Sequence, residues 1–112
     1  MAMIGISDMV EYKVLVTRTT ARKVGTGVEE ALHGPEAPLA LDFEGIYGFT
    51  PSFFDELLHS IGEIARRQGR ELDMEIVNPP AELSSVHEAI ARAHGLWIVE
   101  NEKGSWRLGF PE

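Results

Sequence analysis

Asp42 and Glu44 stand two residues apart at the end of an apolar run, so in an extended chain their side chains point the same way. Paired carboxylates can raise one another's pKa for acid–base work, or hold a cation. The plainer alternative is that Asp42 accepts hydrogen bonds from neighbouring loop backbone while Glu44 is already in solvent. Further on, Thr50-Pro51-Ser52 puts two hydroxyls at a helix start, because a hydroxyl cap followed by Pro at the first helical position is a strong N-terminal signal. Free N–H groups and the positive dipole end favour an anion or a phosphorylated hydroxyl there. Thr50 as a simple cap and Ser52 as first-turn surface would equally explain both residues.

Asp55, His59 and Glu63 follow at i, i+4 and i+8, with Glu56 beside the first. That spacing could gather ligands around a metal. It also describes a solvated helix face, with Glu63 and Arg67 as an i,i+4 ion pair. Beside Ser52, Asp55 and Glu56 further read as an acidic docking surface for a partner. His87 and His94 lie seven apart near one helix face, and His33 is remote; with Ser84 and Ser85 they lack the context of a nucleophile elbow, so they are expected to be surface or capping histidines. Arg18, Arg22 and Lys23 form a basic patch for a phosphate or an acidic partner, or else a solvated face. Gly25-Thr26-Gly27 is too short for a phosphate-binding loop and has no following Lys. These residues assemble no catalytic set, so the expectation is a non-enzyme with no cofactor and no metal.

The elements that must position them follow from periodicity. Val10, Tyr12, Val14 and Val16 alternate with Glu11, Lys13 and Leu15, which predicts a half-buried strand over 10–16. Ala21, Val24, Val28, Ala31 and Leu32 recur at helical spacing after a cap at Thr19 or Thr20, and Gly34-Pro35 ends that helix. Leu39–Phe43 has the pattern of a central strand, and 44–49 is a loop. Phe53, Phe54, Leu57, Leu58, Ile61, Ile64 and Ala65 make a wide stripe on a helix closed by Gly69. Leu72, Met74 and Ile76 predict a strand that Asn78-Pro79-Pro80 cannot continue. Leu83, Val86, Ile90 and Ala93 predict a third helix ending at Gly95, and Leu96–Glu100 with Ser105–Phe110 a hairpin whose Trp97 and Trp106 are expected to meet in the core, the alternative being an exposed aromatic contact patch. Helices alternating with strands predict an α/β fold, parallel in the middle and antiparallel at the hairpin edge.

The 112 residues suit one domain, 1–112, with the first eight loosely held. At 44% hydrophobic and 25% charged residues the chain has enough apolar material to fold. Its net charge of −8 argues against nucleic acid as a partner. With no cysteine it has no disulfide, thiolate site or cysteine nucleophile, which suits a reducing cytoplasm. No stretch reaches the roughly 18 apolar residues of a membrane helix, and the start lacks the basic and apolar regions of a secretion signal, so neither a membrane nor export is expected.

Leu41-Asp42-Phe43-Glu44-Gly45-Ile46 and Phe49-Thr50-Pro51-Ser52-Phe53-Phe54-Asp55-Glu56-Leu57-Leu58 resemble the signature of a bacterial STAS-like domain family of unknown function: a strand of the form LDFEGV, a short loop, and a helix opening SFxDEL. Thr17-Arg18 with Ala21-Arg22 resembles its upstream element, and Asn78-Pro79 and Gly95-Leu96 its later segments. The resemblance spans about 18–96 and is related to anti-sigma-factor antagonist STAS domains. It implies a STAS-like fold and a bacterial, cytoplasmic protein-binding module in partner switching, with a histidine-kinase-type ATPase as the partner. Counting from Asp42, the antagonists' Asp falls on Thr50 and their phosphorylatable Ser on Pro51. Proline takes no phosphoryl group, which leaves Ser52 or Thr50 for that role. The expected partner-binding face is the 44–49 loop with Asp42, Glu44, Thr50, Ser52, Asp55 and Glu56. The alternative is a sensor holding a nucleotide or other anion at the Thr50 helix start. A homodimer through the C-terminal hairpin stays open.

Overall fold

Leu39–Asp42 forms β3, and the reason for its continuous apolar character is its place inside the sheet, with Ala2–Gly5 (β1) on one side and Asp73–Val77 (β5) on the other. The computed structural model describes residues 2–32, 39–69 and 73–110. Both pairings of β3 are parallel, with Leu41 opposite Ile4 and Ile76. Trp97–Glu100 (β6) and Trp106–Gly109 (β7) form an antiparallel hairpin that joins β5 through β7, for a sheet order β1-β3-β5-β7-β6. The chain is thus a mixed α/β fold with a parallel side and an antiparallel hairpin side.

Three helices provide the crossovers: Arg18–Leu32 (α1), Pro51–Arg67 (α2) and Ser85–Ala93 (α3). Each crossover steps the same way across the sheet, and right-handed connections then place all three helices on one face. α2 packs between α1 and α3. Leu39, Leu41, Met74, Ile76, Trp106 and Leu108 meet the α2 stripe of Phe53, Phe54, Leu57, Leu58 and Ile61 in one core. The alternate strand positions face away from the helices, and there Met3 and Val99 are exposed and Arg107 pairs with Asp73 at 3.0 Å.

Five expectations need correction. The first eight residues are not simply loose, since Ala2–Gly5 takes the edge beside β3. That placement keeps the 10–16 segment out of the main sheet. Only Val14–Leu15 (β2) is a strand, and it pairs in parallel with Gly48–Phe49 (β4) inside the stretch expected to be a loop. Of the segment's two faces, Leu15 is buried, while Tyr12, Val14 and Val16 point to solvent. α1 begins at Arg18, and its cap is Thr17: the Thr20 N–H donates to Thr17 Oγ1 at 3.1 Å, rather than Thr19 or Thr20 capping. Trp106 is buried but Trp97 is 40% exposed, so the two do not meet in the core. The expected Gly34-Pro35 helix stop, His33 and the strand start at Leu72 lie outside the described residues.

Candidate functional site

The chain leaves β1 and β3 at their carboxyl ends and builds the β2–β4 pair before entering α2. That end of an α/β sheet is where such folds place ligands. Thr50 ties the structure together there. As N-cap of α2 its Oγ1 accepts from Phe53 N–H at 3.2 Å. Its hydroxyl donates to the Val16 carbonyl at 3.1 Å, and its backbone N–H donates to the Leu15 carbonyl at 2.9 Å. Thr50 is therefore committed to holding the helix start against β2. Ser52, one turn position on, is exposed.

Asp42 is half-buried, and its Oδ1 accepts from the Glu44 N–H and from Asn78 Nδ2, both at 2.9 Å. Asn78 has φ +53°, a left-handed conformation that Asn tolerates better than most residues. Its amide thus reaches back from the end of β5 to the end of β3. Glu44 lies past the strand in an exposed turn. The two carboxylates do not assemble; Asp42 holds loops and Glu44 is solvated.

Asp55 and Glu56 face the other helices. Asp55 Oδ2 accepts from Arg18 Nη1 at 2.7 Å, and Asp55 Oδ1 lies 2.7 Å from His94 Nε2, so one carboxylate joins α1, α2 and the end of α3. The hydrogen bond from Arg18, then that from His94, holds the Asp55 carboxyl below the usual range. Glu56 lies 3.5 Å from Arg22 and 4.0 Å from Arg18. The Arg66 guanidinium adds a 2.7 Å bond to the His94 carbonyl. The predicted acidic surface is therefore paired internally with two residues of the predicted basic patch, and Lys23 stays outside it. His59 and Glu63 are exposed, and no group of three metal-binding side chains occurs among the described residues.

His87 is a capping residue. Ser84 N–H donates to its Nδ1 at 3.1 Å, and the Ser84 hydroxyl caps α3 in return. Its ring lies 5.2 Å from Phe54 and 4.8 Å from Trp106, and burial pushes its pKa below the ordinary histidine value of 6.5. The indole N–H of Trp106 has no hydrogen-bond partner among the described residues.

The alternating 10–16 segment was visible in the sequence, but the side it turns to water was not. Tyr12 is 72% and Tyr47 78% exposed, and Val14 and Val16 are about half exposed. Gly48 lies opposite Val14, and a side chain added there would meet nothing within 4 Å. A hollow of about 720 Å³ runs along Val10–Thr17, with Thr20 and Lys23 of α1 completing its lining. Scattered apolar residues on a surface are ordinary, but a contiguous set marks an interaction site. Comparison with models of known families, with curated proteins and with solved structures gives no match.

Proposed function

We propose that the chain is a non-catalytic protein-binding module whose partner sits on the β2–β4 ledge and the adjoining first turn of α2. The observation that carries this reading is the run of exposed apolar side chains at Tyr12, Val14 and Val16, with Tyr47, just before β4, bonded to the same segment through its N–H to the Lys13 carbonyl. Glu44 and Ser52 are exposed nearby in sequence and extend the face; Asp42 holds the Glu44 turn and Thr50 the end of β2, while Asp55 and Glu56, paired at the helix junction, leave it. The STAS-like resemblance of the 41–58 segment supports a place in bacterial partner switching, with a histidine-kinase-type ATPase as the partner. In that setting Ser52 is the hydroxyl open to phosphorylation, because the Thr50 hydroxyl is already bonded to Val16.

Affinity capture from the native host tests the reading, comparing the parent chain with a Tyr12→Ser/Tyr47→Ser double variant and a distant Glu102→Lys control. The expected result is a partner retained by parent and control and lost by the double variant. A partner held equally by all three would move the site elsewhere. A thermal-shift series with nucleotides and phosphorylated metabolites checks the sensor alternative: a ligand at 100 times its dissociation constant adds about 2.7 kcal/mol of stability. Stabilisation of that size, abolished by a change at the α2 start, would favour the sensor.

A further inference from the structure

Among the described residues the β2–β4 pair has only two strands, so β2 keeps one edge without a neighbouring strand there. Its bonds to β4 run through the Lys13 carbonyl, which accepts from Tyr47 N–H at 2.7 Å, and the Leu15 carbonyl, which accepts from Thr50 N–H. Successive residues of a strand direct their backbone groups to opposite edges, so Val14, between those two, turns its N–H and C=O away from β4. The hollow lined by residues 10–17 carries Lys13 and Lys23, and neither enters an ion pair among the described residues. Glu11 is the one acidic group in that lining. A chain of net charge −8 therefore presents two unpaired ammonium groups beside an apolar strand edge.

The geometry points to strand addition: an extended segment of the partner pairs with the free edge of β2, places apolar side chains at alternate positions against Tyr12, Val14 and Val16, and meets Lys13 and Lys23 with acidic residues. This rests on the protein-binding reading and names the form the partner takes. Main-chain bonds to an open edge supply affinity, and alternate side chains supply selectivity. The charges favour a foreign acidic segment over a second copy. Two copies paired through β2 would bring lysines together within two molecules that repel as a whole, and like charges across strands destabilise a pair.

The test uses displayed random 12-residue peptides selected on the whole chain, with counter-selection on Val14→Asp. Circular dichroism checks that Val14→Asp is folded, and Lys23→Glu, on the exposed side of α1, serves as a second variant. Enriched peptides are expected to be acidic, with apolar residues at alternate positions, and to bind each variant at least tenfold more weakly by calorimetry. Methylating the peptide's backbone nitrogens one at a time should cost at least tenfold at every second residue and little between. No enrichment, peptides without acidic residues, binding indifferent to both variants, or methylation losses without a two-residue period each overturn strand addition. So does a parent dimer in sedimentation that Val14→Asp dissolves. If a partner captured through Tyr12 and Tyr47 shows no such period, the protein-binding reading survives and the strand does not.

Discussion

The junction of the three helices and the β2–β4 ledge differ in how far their side chains satisfy one another. At the junction, Asp55, Glu56, Arg18, Arg22 and His94 are the residues whose types most suggest chemistry, and they answer one another's charge. Arg18 and Asp55 remain 47% and 35% exposed, and a pair in that setting is worth about 0–1 kcal/mol. The junction orients helices and adds little stability. At the ledge the residue types are bland, yet apolar rings and valines stand in water and two lysines enter no ion pair among the described residues. Reactive-looking groups that are satisfied internally are part of the fold. Unsatisfied surface, whatever its chemistry, is where a second molecule has something to gain.

The comparison can be broken most severely from beneath. Phe54 is fully buried and stacks 5.4 Å from Phe49, the β4 residue that anchors the ledge to the core. Phe54→Ala should cost about 3–5 kcal/mol, the range for a buried Phe truncated to Ala. Urea unfolding would read this, and a loss below about 1 kcal/mol would mean the ledge is not seated on that core.

The next test uses pH. His87 has its folded pKa depressed below 6.5 by burial. Above 6.5 both folded and unfolded states hold it neutral, so it sets no pH dependence there. As pH falls below 6.5 the unfolded chain takes up a proton that the fold resists, and stability drops until the folded pKa is reached. The urea midpoint should therefore fall between pH 7.5 and 5.5. His87→Gln, which keeps a side chain suited to the third position of a capping box, should flatten that fall. An identical slope in the variant would show that His87 is not held neutral.

Thr50 comes next. Its hydroxyl serves both α2 and Val16, so Thr50→Ala should cost about 1 kcal/mol in urea unfolding. Ser52→Ala, one residue past Pro51 and exposed, should leave the midpoint unchanged. Equal losses for both would mean that Thr50 is not the cap.

How much of this was legible in the sequence depends on how local each signal is. Thr50-Pro51 before the stripe from Phe53 to Ala65 fixes the start and buried face of α2 within a few residues, and the structure has both. The alternation of parallel strands and helices was readable for the same reason. Val10–Val16 shows what was not. Period-two alternation announces an extended chain, but which side is wet depends on Ala2–Gly5 having taken the place beside β3, a contact more than thirty residues long in sequence. Trp97 and Trp106 fail for a related reason. The hairpin register sets Trp106 opposite Glu100 and Trp97 opposite Gly109, an odd separation that sends the rings to opposite faces. The charge pairs of Arg18 and Arg22 with Asp55 and Glu56 were present as two patches of opposite sign, and only the packing of α1 on α2 joins them.

The smallest effect sharpens the comparison most. Tyr12 and Tyr47 are the two most exposed large apolar side chains among the described residues, and neither belongs to the core. Tyr12→Ser and Tyr47→Ser should each shift stability by no more than about 0.5 kcal/mol, as for surface sites free of special interactions. Set against about 3–5 kcal/mol for Phe54→Ala, that near-silence is informative. It would show that the fold makes no use of these rings, so their exposure needs another explanation. If either serine variant instead lost 2 kcal/mol or more, a loss on the scale of a buried side chain, the tyrosine would be packed in solution. The ledge would then be part of the core, and the contrast with the helix junction would fall.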